Sequence, residues 1–176
     1  MKILPRLLPS NSPKRQGILI PESITIHETS LGTDLQPAEK NYNRYYHMLL
    51  TTDTTIGFHF LVEANNGEET RIYQFLETNT ATRHTGHPTG NNQSIGIERL
   101  VNVNTDMERA IDAQAMLTAT LMHLHHIPME EVLPHRFWSG KECPARLLAG
   151  MYGGWNGFMD QVSYHFVKRN WVEGVL

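Results

Sequence analysis

Cysteine is almost missing from this chain: there is one, Cys143, in 176 residues. A lone thiol excludes an intrachain disulfide framework and leaves two roles, a small buried hydrophobe or a metal-held thiolate. Basic charge is scarce as well. Fifteen Lys and Arg against 18 Asp and Glu give a net charge of −3, which argues against non-specific nucleic-acid binding, since that needs a strong basic patch. No apolar run approaches the ~18–20 residues of a membrane-spanning helix. The opening Met1-Lys2-Ile3-Leu4-Pro5-Arg6-Leu7-Leu8-Pro9 starts like a signal peptide, but two prolines and an arginine interrupt it before an apolar core forms. These absences lead us to expect a monomer made in the cytoplasm without a signal peptide, with neither nucleic acid nor membrane as a partner.

Histidine, by contrast, is abundant, at ten residues. The length suits one domain with a sizeable core, and 40% hydrophobic with 19% charged residues is ordinary for a globular chain. No repeat, low-complexity tract or linker divides it. Residues 1–176 are therefore expected to form a single α/β domain, with 1–16 as an irregular arm and no further domain after it.

Alternation of apolar and polar residues with β-branched enrichment predicts strands at Ser23–Thr29, Gly57–Glu63, Thr70–Leu76 and Ser94–Glu98. Asn65-Asn66-Gly67 is the turn between the second and third of these. Tyr42, Tyr45, Tyr46 and Leu49 fall at helical spacing within 36–50, and such an aromatic stripe reads first as core packing. Residues 77–92 form a long polar loop, of the kind that often carries function. Gly96 in its strand leaves room for something to approach closely. Thr105 to Glu108 has the form of a capping box opening a helix that runs to about His126. His123, His125 and His126 then lie in its last turn, where the helix dipole favours a cationic ring. Leu133 to Pro144 reads as a loop, followed by a short helix near Arg146 and a closing helix over 155–168.

That loop holds His135 and Cys143 eight residues apart, with Lys141 two before the cysteine. Imidazole and thiolate both suit a borderline-soft cation, zinc above all. A catalytic zinc site needs three protein ligands and an open position; His27, at the end of the first clear strand, is the best third. Glu98 is placed to act as a base and Lys141 to stabilise an oxyanion.

Several blocks, in order, resemble the type 2 N-acetylmuramoyl-L-alanine amidases, the zinc amidases of phage endolysins and autolysins that share a fold with peptidoglycan recognition proteins. They are 24–29 (ITIHET), 57–62 (GFHFLV), 72–74 (IYQ), 83–86 (RHTG), 91–98 (NNQSIGIE), His135-Arg136 and 139–144 (SGKECP), covering about residues 20–150. The resemblance implies one Zn2+ per chain on His27, His135 and Cys143, with Glu98 and Lys141 catalytic. It also implies substrate contacts at His84, Phe58, Thr85 and Asn92. The implied fold is a central, mostly β-sheet of about five to six strands flanked by helices, with the zinc cleft on one edge. The implied reaction is hydrolysis of the amide between N-acetylmuramic acid and L-alanine in peptidoglycan, by an endolysin reaching the cell wall through a holin. Many relatives have tyrosine where this chain has Phe58; phenylalanine has no proton to give, so acid–base work falls to Glu98. The alternatives are a non-catalytic peptidoglycan-binding module and a cytoplasmic zinc amidase that recycles muropeptides.

Overall fold

The computed structural model describes residues 3–29 and 41–173, with 169–173 as helical backbone only. Six strands, β1 (Ile3–Pro5), β2 (Ser23–Glu28), β3 (Phe60–Glu63), β4 (Arg71–Gln74), β5 (Ser94–Arg99) and β6 (Val132–Pro134), form one mixed sheet in the order β1-β4-β3-β5-β2-β6. Around it lie α1 (Tyr42–Thr51), α2 (Pro88–Gln93), α3 (Met107–His125), α4 (His135–Ser139), α5 (Ala145–Leu148) and α6 (Gly154–Glu173). This is the single α/β domain that the alternating segments predict.

Strands β3, β5, β2 and β6 run parallel, so their carboxyl ends meet at one rim. Such a rim is where open α/β sheets place their ligands. The pleat sends alternate residues to opposite faces. Ile24, Ile26, Ile95, Ile97 and Val132 join the core beneath α3 and α6. Each contributes about 1.5–3 kcal/mol by leaving water. On the opposite face, Leu61, Tyr73 and Phe75 form a second core, against which Tyr42, Tyr45 and Tyr46 of α1 pack. Tyr42 stacks on Tyr73 at 3.8 Å between centroids, so the aromatic stripe is packing. With α1 packed over β3 and β4, the same face of β2 and β5 presents Thr25, His27, Ser94, Gly96 and Glu98.

The local readings need four corrections. The arm expected over 1–16 is irregular from Arg6 onward but is tied into the domain: Ile3–Pro5 add to β4 in parallel as β1, Leu8 is buried and Lys14 is fully buried, donating to the Thr52 carbonyl. The loop over 77–92 contains α2, started by Pro88 at its first turn. The segment after Ile127 is not all loop, since it pairs as β6 and then turns into α4. The cap of α3 is Asp106, whose carboxylate accepts from the Arg109 amide at 3.1 Å. Thr105 is occupied elsewhere, its hydroxyl accepting from the Asn102 amide. The start of the helix expected from residue 36 lies outside the described residues; the observed helix begins after Asn41, whose side chain caps it. Among the described residues, no helix is long and apolar enough to cross a membrane.

Candidate metal centre

The centre assembles because β6 lies beside β2. Ile26 pairs with Pro134, so the next residue on each strand, His27 and His135, are neighbours at the rim. Their rings are 4.6 Å apart between centroids. After α4 the chain reverses at Gly140, whose φ of 75° suits glycine. The Arg136 amide then donates to the Cys143 carbonyl at 3.1 Å, which brings the thiol back to the histidines.

One atom from each of His27, His135 and Cys143 lies within 4.8 Å of the others, and all three residues are buried. His27 Nδ1 is 4.0 Å from Cys143 Sγ. His135 Nε2 donates to the Thr85 carbonyl at 3.0 Å, while its Nδ1 is buried without a partner. An unpaired buried polar atom costs about 1–3 kcal/mol, so a cation at that point satisfies it. Burial and the neighbouring Glu98 push the Cys143 thiol up to about 12; a thiolate there needs a cation beside it. Burial holds His27 well below the usual histidine range, helped by the fields of His84 and His135. A neutral histidine is the form that binds metal. Two nitrogens and a sulfur with these properties fit zinc.

Glu98 faces His27 across the β2–β5 ladder. Its Oε1 is 4.0 Å from His27 Nδ1, its Oε2 has no partner, and its side chain is 19% exposed. Burial raises it to about 7, against the downward pull of Lys141. Lys141 is exposed, and after burial its charge is the next influence lowering His135.

Of the four residues expected to meet substrate, Phe58, His84 and Thr85 are buried. Phe58 belongs to the second core, edge-on to Phe75 at 5.5 Å. Thr85 is fully buried, its hydroxyl engaged with the His87 carbonyl and Asn91. His84 spends both ring nitrogens internally, at 3.0 Å from His27 Nε2 and 3.0 Å from the Ser94 carbonyl. Asn92 is exposed on α2 and bonds to the Pro88 carbonyl of its own helix. Three of these side chains are thus engaged internally, and Asn92 is the exposed one of the four. His59 is a satisfied core histidine: Gly96 N–H donates to Nδ1, and Nε2 donates to Thr80.

Supporting residues that sequence reasoning missed surround the three candidate ligands. Asn91 Oδ1 accepts from the His84 and Thr85 amides. Gln114 on α3 donates to the carbonyls of His27 and Ile97. Trp138 Nε1 donates to Thr25 at 2.9 Å, tying α4 to β2. Glu28, next to His27, joins Arg99 at 2.5 Å and Arg146 at 3.1 Å. Asn91 and Glu28 fall within blocks 91–98 and 24–29 of the resemblance, whereas Gln114 and Trp138 carried no signal.

Known proteins share this arrangement of chain. The Amidase_2 family model, described as N-acetylmuramoyl-L-alanine amidase, matches residues 18–146. The amidase XlyA of Bacillus subtilis (strain 168) is 36% identical over 164 residues, covering 88% of this chain and 52% of XlyA. CwlH of the same organism is 33% identical over 163 residues, covering 89% of this chain and 59% of CwlH. The chain thus spans about half the length of these curated relatives. Among solved structures, the catalytic domain of XlyA superposes with a TM-score of 0.75 at 32% identity, covering 92% of this chain and 99% of that one. A mutant endolysin from Bacillus subtilis gives 0.76 at 33%, covering 92% and 98%. The match over most of the sheet and all of its rim decides the question: this chain belongs to the N-acetylmuramoyl-L-alanine amidase family.

Proposed function

We propose that the protein hydrolyses the amide between N-acetylmuramic acid and L-alanine in peptidoglycan, in a zinc-dependent reaction, as the lytic part of an endolysin. The observation that carries this reading is the buried His27–His135–Cys143 cluster with its orphaned His135 Nδ1. When bound, zinc supplies Lewis-acid chemistry, polarising a carbonyl and acidifying water. Glu98 takes the proton of the attacking water; with its carboxyl raised to about 7, it is matched to proton transfer near neutrality. The same carboxyl then returns the proton to the leaving amine of L-alanine. Lys141, exposed beside the ligand loop, stabilises the negative charge that develops on the amide oxygen. Peptidoglycan is the partner, one chain acts alone, and the enzyme reaches the wall from the cytoplasm through a holin.

The test is digestion of purified Gram-positive cell walls by protein of known metal content. Zinc near one per chain, with new L-alanine amino termini and no new reducing sugars, is the expected outcome. His27→Ala and Cys143→Ser should lose metal and lysis together. Wall binding without lysis and without zinc would establish the recognition module instead. Zinc with cleavage of soluble muropeptides but not of walls would establish a recycling amidase.

A further inference from the structure

We infer that His84 is a positioning residue that fixes the tautomer of His27, so that His27 offers Nδ1 to the metal. The inference rests on reading His27, His135 and Cys143 as the ligands.

It follows from hydrogen-bond bookkeeping at three rings. The Ser94 carbonyl can only accept, so His84 Nε2, at 3.0 Å, must be its donor. A neutral His84 then has a lone pair on Nδ1, and the atom facing it, at 3.0 Å, is His27 Nε2. His27 Nε2 therefore carries the proton, and His27 Nδ1 carries the lone pair. That Nδ1 is the atom found 4.0 Å from both Cys143 Sγ and Glu98 Oε1. His84 is buried, and its two ring nitrogens face only an imidazole and a carbonyl, so nothing there offsets a positive charge and the ring is neutral. The same logic operates at His135, where Thr85 takes the Nε2 proton and leaves Nδ1 free. Both ligand histidines are thus turned by a carbonyl-terminated chain, one direct and one relayed through a second imidazole.

Gly96 makes the relay possible. A Cβ built at residue 96 would sit 2.7 Å from His84 Nδ1, so any side chain there displaces the ring from His27. The close approach that Gly96 allows is that of the His84 imidazole. It also explains why His84 has no ring nitrogen left for substrate.

The experiment measures zinc affinity by competition with a chromophoric chelator, in the wild type, His84→Ala, His84→Gln and Gly96→Ala. It adds long-range 1H–15N imidazole spectra of the zinc-loaded wild type. We expect His27 to be metal-bound through Nδ1 and protonated at Nε2. We expect His84→Ala and Gly96→Ala to weaken zinc about 10- to 100-fold. Glutamine, which keeps one acceptor and one donor, should recover part of the loss. A general loss of structure would not produce rescue by glutamine or move the tautomer. His27 bound through Nε2, or His84→Ala binding zinc as tightly as wild type, overturns the inference while leaving the ligand reading intact. If the alanine variant fails to fold, the wild-type spectrum alone decides. Failure of the wild type to bind zinc overturns both readings.

Discussion

Glu28 gives a prediction whose size follows from the structure. Its carboxylate is 3% exposed and holds three groups: Arg99 Nη2 at 2.5 Å, and the amide and Nη1 of Arg146, each at 3.1 Å. Arg99 is fully buried, and its other guanidinium contact is Gln114 at 2.6 Å. Glu28→Ala therefore strands a buried cation, which costs about 3–5 kcal/mol when one partner of such a pair is removed. For a chain of this size that corresponds to a fall in Tm of about 6–20 °C. The Glu28 carbonyl also contacts Cys143 Sγ at 3.8 Å, and Arg146 follows Cys143 by three residues. Zinc affinity should fall along with stability. Urea unfolding of zinc-saturated protein measures the first, and chelator competition measures the second. Removing both charges, as Glu28→Leu with Arg99→Met, should recover most of the stability, because the cost lies in the unpaired charge. A loss below about 1 kcal/mol for Glu28→Ala would refute the claim that Arg99 depends on this carboxylate.

Three further outcomes are expected. Glu98→Gln should keep zinc and fold but lower turnover on cell walls by about two orders of magnitude or more, as loss of a general base does; native turnover with zinc bound would remove Glu98 from the mechanism. His59 is fully buried and lowered from 6.5 to about 4 by burial, so the unfolded chain binds more protons between those values. Stability should then be complete above pH 6.5 and fall by about 3 kcal/mol on acidification to pH 4. His59→Gln should flatten that slope in denaturation curves at stepped pH, and an unchanged slope would assign it to other groups. Phe58→Tyr should cost about 1–3 kcal/mol in thermal unfolding without raising turnover, because its ring lies in the core between Tyr45 and Phe75; faster lysis would show that the hydroxyl reaches substrate.

The fold is legible in the sequence wherever an element is long enough to show its period. β2 and β5 have six residues each, alternating isoleucines with polar residues, and α3 has nineteen with a clear apolar face. β1 and β6 have three residues each, too few for alternation to appear, and exist because a neighbouring strand offers its open edge. The cap of α3 sits between two good capping residues, Thr105 and Asp106. Which one caps depends on Asn102 and Leu100 engaging the threonine hydroxyl, a contact that local pattern does not encode.

The site divides along a different line. Its three candidate ligands are legible by element chemistry, since a lone cysteine, an imidazole and the right blocks around them leave few alternatives. The supporting residues are not, because polarity in a loop suggests contact with water. His84 and Thr85 are polar, yet they are buried; His84 meets His27 from 57 residues away, and Arg146 meets Glu28 from 118. Only the finished sheet brings such groups together, and a buried polar group must find a partner. Hydrogen-bond accounting then assigns roles that polarity cannot. Within the centre, the atoms left unpaired are His135 Nδ1 and Glu98 Oε2. One is a lone pair facing the cluster and the other a carboxylate oxygen beside it. In the function proposed above, these are the atoms that bind the cation and accept the proton.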